Sequence, residues 1–331
     1  MIRYGIVGFG HHGSKRLVPA FAGASASKLA GIWRRNLEKA RTDVRELKLE
    51  RIFETAEELC ASPEIDAVFV TSPDACHARD TLLALDHNKP VLCEKPLAMQ
   101  AAEVEQMLAA AHRANVQFGV AQNFRYNGSV VLIRDWVQAG RIGRPIFATA
   151  QFCFQSERSP RAWIYDKSLA RGGPIGDVGI HCLDALRFIL QQDVAAVATV
   201  AQSDAESGGM ETNATLALDF TLGTIGSVSV SFRADYRTLI EIVGEHGTIQ
   251  SESCLSVDVP VDVRLLQNSK VVDSRRVSNA DAYSQMLDAF SAAIEGKGTY
   301  AATGSDGLKN QLALDAAYAS WRSGRKEIVA Y

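Results

Sequence analysis

The chain has 331 residues, 47% of them hydrophobic and 22% charged, with a net charge of −3, the profile of a globular protein large enough for two cored domains. That balance supplies no basic stripe for a phosphate backbone, so nucleic acid is not an expected partner. No apolar run approaches the length of a membrane span and the chain opens on a strand rather than a signal peptide, so a cytoplasmic protein without membrane association is expected. Six cysteines, Cys60, Cys76, Cys93, Cys153, Cys182 and Cys254, are scattered without a C-x-x-C pair, which fits reduced thiols.

The first element is a strand over Met1–Gly8 that runs into Gly8-Phe9-Gly10-His11-His12-Gly13 and a helix over Ser14–Ala22. In a strand, turn and helix of this kind Gly8 makes the tight turn, Gly10 lets backbone approach a pyrophosphate and Gly13 allows close packing; a glycine-rich turn without ligand is the alternative. His11 and His12 lack spaced carboxylate partners for a metal and are taken as loop residues beside the cofactor. A second strand, Lys28–Trp33, ends in Arg34-Arg35 where an acid would grip the ribose of NAD. Two guanidinium groups, with Lys39 a turn later, suit a 2′-phosphate, so NADP is expected; stacking of one arginine on adenine would leave NAD usable.

A helix is predicted over Asn36–Lys48, a short strand over Arg51–Phe53, a helix over Ala56–Ala61 and a strand over Ala67–Thr71. That strand meets Ser72-Pro73-Asp74, where proline delays the next helix and sets His77 in its first turn, facing a cleft. An apolar run, Pro90–Cys93, ends in Glu94-Lys95-Pro96. A lysine at the carboxyl end of a buried parallel strand is placed to polarise or deprotonate an oxygen; a solvated loop lysine is the plainer alternative. A helix over Ala101–Ala114 and a strand over Val116–Ala121 complete a dinucleotide-binding domain, 1–122.

The second domain, 123–331, carries Arg171-Gly172-Gly173-Pro174-Ile175-Gly176-Asp177 and then His181, on a helix reaching Leu190. Asp177 and His181 are four apart, so a carboxylate and an imidazole can converge on one hydroxyl, unless Asp177 only caps the helix and His181 is buried on backbone. Metal is not expected, for want of further ligands nearby. From Ala195 to Gln267 alternating and β-branched runs predict a large, mostly antiparallel sheet, followed by helices over Asp281–Glu295 and Ser305–Ser323. The fold class is therefore α/β: a Rossmann domain followed by an α+β domain with an open sheet. One face of that sheet needs cover, so a homodimer or homotetramer through it is expected.

These motifs together resemble the Gfo/Idh/MocA family, which includes glucose-fructose oxidoreductase and inositol 2-dehydrogenase. Glu94-Lys95-Pro96 is similar to its lysine signature, Gly172 to His181 to its D-x-x-x-H helix, and Ala302 to Gly324 to its closing helix. The resemblance implies hydride transfer between nicotinamide C4 and a carbon of a sugar, cyclitol or related polyol, with Lys95 and His181 handling the proton and Asp177 orienting substrate. It adds Asn123 and Arg125, after the nucleotide domain, and the aromatic Trp163 and Tyr283. The implied cofactor-binding set is Gly8, Phe9, Gly10, His11, His12, Gly13, Arg34, Arg35, Lys39, Ser72, Pro73, His77, Glu94, Lys95 and Asn123; the implied substrate set is Lys95, Arg125, Trp163, Asp177, His181 and Tyr283. Arg171 and Asp74 depart from the family's usual glycine and asparagine, and Arg34 from its acid. Two other activities occur with such resemblance, a non-catalytic sugar or nucleotide sensor and a redox-assisted glycosidase with tightly held cofactor; the presence of Lys95, Asp177 and His181 together favours the dehydrogenase.

Overall fold

In the computed structural model the described residues are 1–47, 49, 51–257 and 259–331, with the backbone alone for residues 158 and 206. In chain order the elements are β1 (Ile2–Val7), α1 (Val18–Gly23), β2 (Ser27–Trp33), α2 (Leu37–Leu47), α3 (Ala56–Ala61), β3 (Ala67–Val70), α4 (Asp74–Asp86), β4 (Val91–Cys93), α5 (Ala101–Ala114) and β5 (Phe118–Val120). They continue with α6 (Gly128–Gln138), β6 (Pro145–Cys153), α7 (Ile180–Leu190), β7 (Val194–Ser203), β8 (Glu211–Phe220), β9 (Ile225–Ser231), β10 (Arg237–Gly244) and β11 (Thr248–Glu252). The last are β12 (Pro260–Gln267), β13 (Lys270–Ser278), α8 (Ala282–Ile294), α9 (Gly304–Ser323) and β14 (Glu327–Ile328).

The chain divides into two compact units, one of Met1–Gln122 with Ser168–Ala170 and Tyr283–Leu308, the other of Asn123–Lys167, Arg171–Ala282 and Lys309–Tyr331. The first unit thus takes back two segments that lie in the expected second domain. Its five-stranded sheet has the order β2-β1-β3-β4-β5, all parallel. Every residue of β3, β4 and β5 is buried, which is why these strands are short unbroken apolar runs rather than alternating ones. Connections lead away on both sides of β1, so the carboxyl ends of β1 and β3 flank the point where a parallel sheet opens a crevice. Arg51–Phe53 makes only a single bridge, Ile52 to Ile32, and is not a strand. Lys48, the predicted last residue of the second helix, lies outside the described residues.

Residues 283–308 finish this unit. Tyr4, fully buried in β1, has its hydroxyl 2.9 Å from Ser291 Oγ on α8, and Ser27 Oγ lies 2.8 Å from the same atom. Asp288 accepts from Ser25, Ala26 and Ser27. Tyr300 donates its hydroxyl to the Val120 carbonyl at the end of β5, and Gly119 bridges Thr303.

The second unit is built on a nine-stranded sheet of order β13-β12-β11-β10-β6-β9-β8-β7-β14. All neighbours are antiparallel except β6 and β9. One face packs with α6 and α7 into a core that includes Ile133, Leu186, Leu216, Val228 and Ile240. Along the opposite face Thr149 and Ser227, and Thr215 and Ser229, pair through their hydroxyls, among the exposed side chains Phe147, Val200 and Ile225.

Candidate active site

The glycine turn has the geometry its sequence demands. Gly8 stands at φ +85°, and a Cβ there would meet the Ser72 backbone nitrogen at 2.4 Å, so only glycine fits where the β3–α4 loop comes close. A Cβ on Gly13 would strike the Phe9 ring at 2.7 Å, while one on Gly10 would have nothing nearer than the Gly8 carbonyl at 3.8 Å. Gly13 therefore makes room for the buried Phe9, and Gly10 leaves backbone open to a ligand. The helical run that follows, residues 11–23, contains a π-turn over Gly13–Leu17. This cradle fits a dinucleotide pyrophosphate.

Three loops at the carboxyl ends of β1, β3 and β4 are tied together by histidines. His12 Nε2 lies 2.9 Å from Glu94 Oε1, and the Tyr283 ring meets the His12 ring edge-on at 5.8 Å. Burial pushes the Glu94 carboxyl up, but His12, then Lys95 and His77, outweigh burial and hold it below the usual carboxylate range. Lys95 follows, its N–H donating to Glu94 Oε2 at 3.3 Å, and a cis bond joins it to Pro96.

His77 does not face a cleft, contrary to the sequence expectation. It is 1% exposed, with Nδ1 2.7 Å from the Pro96 carbonyl and Nε2 2.7 Å from the Ser72 carbonyl. Carbonyl oxygens only accept, so both ring nitrogens must carry hydrogens, and the ring is an imidazolium. Burial pulls its pKa down, yet Cys93, Asp74 and the Pro96 carbonyl outweigh burial and raise it to about 10. His77 is a clamp between two loops rather than a cofactor contact. Ser72 Oγ is buried without a protein partner among the described residues, and Pro73 sits at the N-cap of α4. Residues 168–170 close this side, Ala75 N–H donating to the Leu169 carbonyl.

Where β2 ends, Arg34 pairs with Asp43 of α2. Arg35 and Lys39 are exposed, and Asn36 Oδ1 accepts the Lys39 N–H to start α2.

In the second unit the helix carrying His181 begins with a π-turn over Ile175–Gly179. The preceding glycines are set by packing: a Cβ on Gly172 would meet the Tyr318 hydroxyl at 1.8 Å, and one on Gly173 the Glu211 carbonyl at 1.9 Å. Glu211 Oε1 accepts from Tyr318 and from Ile175 N–H, and burial raises its pKa. Arg171, the departure from the glycine pattern, lies over the Tyr318 ring at 4.3 Å and pairs with Asp315. Asp177 is held by both terminal nitrogens of Arg161, at 3.0 and 2.7 Å. His181 is 8% exposed, edge-on to Phe124 at 4.6 Å and stacked on Phe152 at 6.5 Å. Trp163 is half-buried on a short 3-10 turn.

Arg125 is not available to substrate as the resemblance implied. Its side chain is 4% exposed, and its Nε and Nη2 reach the two oxygens of Asp184 at 2.9 and 2.6 Å. Asn310 donates to the same carboxylate, and Phe188 lies beneath the guanidinium. This is a buried structural pair. Asn123 is 2% exposed, with no hydrogen-bond partner for Nδ2 among the described residues. Arg161, Glu211 and Tyr318 gave no sequence signal, because their roles depend on partners 16 to 107 residues away. Among the described residues no group of His, Cys, Asp or Glu could hold a metal ion.

A parallel sheet with this glycine turn at its switch point defines a dinucleotide-binding fold of the Rossmann kind. Residues 2–122 match the oxidoreductase family with NAD-binding Rossmann fold, and residues 130–250 match the GFO/IDH/MocA C-terminal domain. The chain is 30% identical over 310 residues to 1,5-anhydro-D-fructose reductase of Ensifer adhaerens, covering 93% of this chain and 92% of that one. It is 31% identical to inositol 2-dehydrogenase of Agrobacterium fabrum, over 96% and 94% of the two chains. The chain belongs to the Gfo/Idh/MocA family and is an oxidoreductase. The same fold is seen in aldose-aldose oxidoreductase from Caulobacter crescentus complexed with glycerol, with a TM-score of 0.91, 24% identity and 99% of both chains covered. Levoglucosan dehydrogenase in complex with NADH and levoglucosan matches with a TM-score of 0.89, at 22% identity over the whole of both chains. No helix among the described residues is long and apolar enough to cross a membrane.

Proposed function

We propose that the enzyme moves a hydride between nicotinamide and a CH–OH or carbonyl carbon of a sugar, cyclitol or related polyol, with NADP favoured over NAD. The observation that carries the reading is the open backbone at Gly10, beside loops that present Glu94 and Lys95 at the end of β4. The activities named for the Ensifer and Agrobacterium relatives support the substrate class. A bound nicotinamide supplies the hydride acceptor. The protein's share is the proton: oxidising an alcohol releases one, and a base must stand within hydrogen-bond reach of the hydroxyl.

Lys95 polarises the substrate oxygen and His181 exchanges the proton. The Arg161 fork fixes Asp177 as a carboxylate that orients substrate, and the aromatic walls of Phe124 and Phe152 fix the plane of His181. Arg35 and Lys39, exposed beyond β2, receive the 2′-phosphate beside Arg34. Self-association covers the open sheet face around Phe147 and Ile225. A panel of sugars and cyclitols, followed at the nicotinamide absorbance band with NADP and NAD, tests the activity. Cofactor binding without turnover of any would replace the enzyme by a sensor. Sedimentation tests the assembly, and a monomer of 35.9 kDa would refute it.

A further inference from the structure

The helical run that carries Asp177 and His181 starts without a cap of its own. Gly172 and Gly173 have no side-chain acceptor, Pro174 opens the run in helical conformation without an N–H, and it makes no side-chain capping bond. The amides left over in the first turn meet two buried side chains instead, Glu211 at the head of β8 and Tyr318 on α9. Glu211 Oε1 accepts the Ile175 N–H at 2.9 Å and the Tyr318 hydroxyl at 2.8 Å. Burial raises the Glu211 pKa, while Tyr318 and then the N–H groups of Gly173, Glu211 itself and Ile175 act against burial. Burial and the Glu211 charge hold the Tyr318 pKa well above its usual value, so the hydroxyl keeps the proton it donates, and its oxygen is left for the Gly176 N–H. The next amide, Asp177, is satisfied within the turn by the Gly173 carbonyl at 3.0 Å.

The glycine pair before the helix follows from this arrangement. A Cβ on Gly172 would take the place of the Tyr318 hydroxyl, and one on Gly173 would meet the Glu211 carbonyl at 1.9 Å and its carboxyl carbon at 3.1 Å. Arg171, over the Tyr318 ring and paired with Asp315, braces the same tyrosine. Asp177 and His181 stand within the first two turns after Ile175, so a shift of the helix start moves both. We propose that Glu211 is a positioning residue for the reaction: with Tyr318 it caps, from outside the helix, the turn that carries Asp177 and His181, and so fixes where carboxylate and imidazole meet the substrate. This rests on the reading that Asp177 and His181 act on the substrate. Glu211 acts only through the helix, and a misplacement of about 1 Å costs up to about a hundredfold in rate.

The test compares Glu211→Ala, Glu211→Gln and Tyr318→Phe with Leu216→Ala, which opens a cavity in the core from the same strand. Turnover, cofactor affinity and backbone hydrogen exchange are read at a temperature where melting curves show each variant folded. Glu211→Ala should lose about ten- to a hundredfold in kcat with the cofactor Kd within about twofold of wild type. Its exchange should quicken over residues 173–180 and stay slow along β8 and the rest of α7. Glu211→Gln keeps a carbonyl for the Ile175 N–H and puts its amide nitrogen where Oε2 has no hydrogen-bond partner among the described residues, so it should recover most of the rate. Tyr318→Phe should fall between the two, and Leu216→Ala should lose stability while the folded protein keeps its kcat. Wild-type turnover in Glu211→Ala, a Glu211→Gln as slow as Glu211→Ala, an equal loss in Leu216→Ala, or exchange quickened evenly through the unit would each overturn the inference. Wild-type turnover in both Asp177→Ala and His181→Ala is a different outcome: it removes the reading of the helix, and the positioning role with it, even where exchange still singles out residues 173–180.

Discussion

Truncating Asp184 to alanine should destabilise the second unit far more than breaking any of its surface ion pairs. Arg125, with its side chain 4% exposed, would lose both hydrogen bonds to the carboxylate, and Asn310 Nδ2 would lose an acceptor at 2.7 Å. Removing one partner of a buried ion pair costs about 3–5 kcal/mol, against about 0–1 for a surface pair such as Arg144 with Glu245. For a unit of this size that is a fall in melting temperature of roughly 6–20 °C. Arg125→Met combined with Asp184→Leu removes both charges and fills the space with apolar atoms, so it should recover most of the loss. Scanning calorimetry reads the effect with the transitions of the two units resolved. A shift of under about 2 °C for Asp184→Ala, or a double variant as unstable as the single one, would refute the reasoning. Turnover adds a second readout: the folded double variant should keep its activity, which a substrate-binding Arg125 would not allow.

The remaining expectations concern turnover, cofactor choice and pH-dependent stability. His181→Ala should lower turnover by about a hundredfold to ten-thousandfold with cofactor affinity intact, and Lys95→Ala should do at least as much damage; a wild-type rate in His181→Ala would leave the proton to Lys95 alone. NADP should bind about tenfold or more tightly than NAD, and Arg34→Ala with Arg35→Ala should abolish the preference; equal dissociation constants in the wild type would place adenosine recognition elsewhere. His77 has a raised pKa in the folded state, so its stabilising share is complete below the unfolded value of about 6.5 and is lost as pH rises through about 10. Thermal stability should accordingly fall across that window more steeply in the wild type than in His77→Asn, and parallel curves for the two would contradict the imidazolium clamp.

Local pattern made the first unit legible. Its strands are short apolar runs between helices with caps, such as Thr55 at α3, whose hydroxyl accepts the Glu58 N–H. The glycines of the first turn could be assigned because each answers a local requirement. What escaped was set by distant partners. His77 was legible as the first-turn residue of a helix, but its inward aim is decided by the Pro96 and Ser72 carbonyls. Arg125 was counted as a site residue on the family resemblance alone, and the partner that fixes it lies 59 residues on, beyond any local pattern. Strand β6 was not predicted, although it lies between β10 and β9 in the sheet, because its buried positions Ala148 and Ala150 are small and its most exposed one, Phe147, is aromatic, which masks the alternation in the sequence.

The return of residues 283–308 to the first unit has a consequence for biosynthesis. Tyr4 lies 287 positions from the serine its hydroxyl meets, and Ser25, Ala26 and Ser27 wait for Asp288. At ribosomal rates of about 5–20 residues per second, the opening strand waits roughly a quarter of a minute to a minute before its last neighbours are made. During that interval the nascent nucleotide unit holds an incomplete flank, with the Tyr4 hydroxyl and the Val120 carbonyl at the end of β5 lacking the α8-side partners they have in the finished chain. A fragment ending at residue 122 would keep that flank permanently, so the dinucleotide unit is a product of the whole chain and not a module that its first third can deliver.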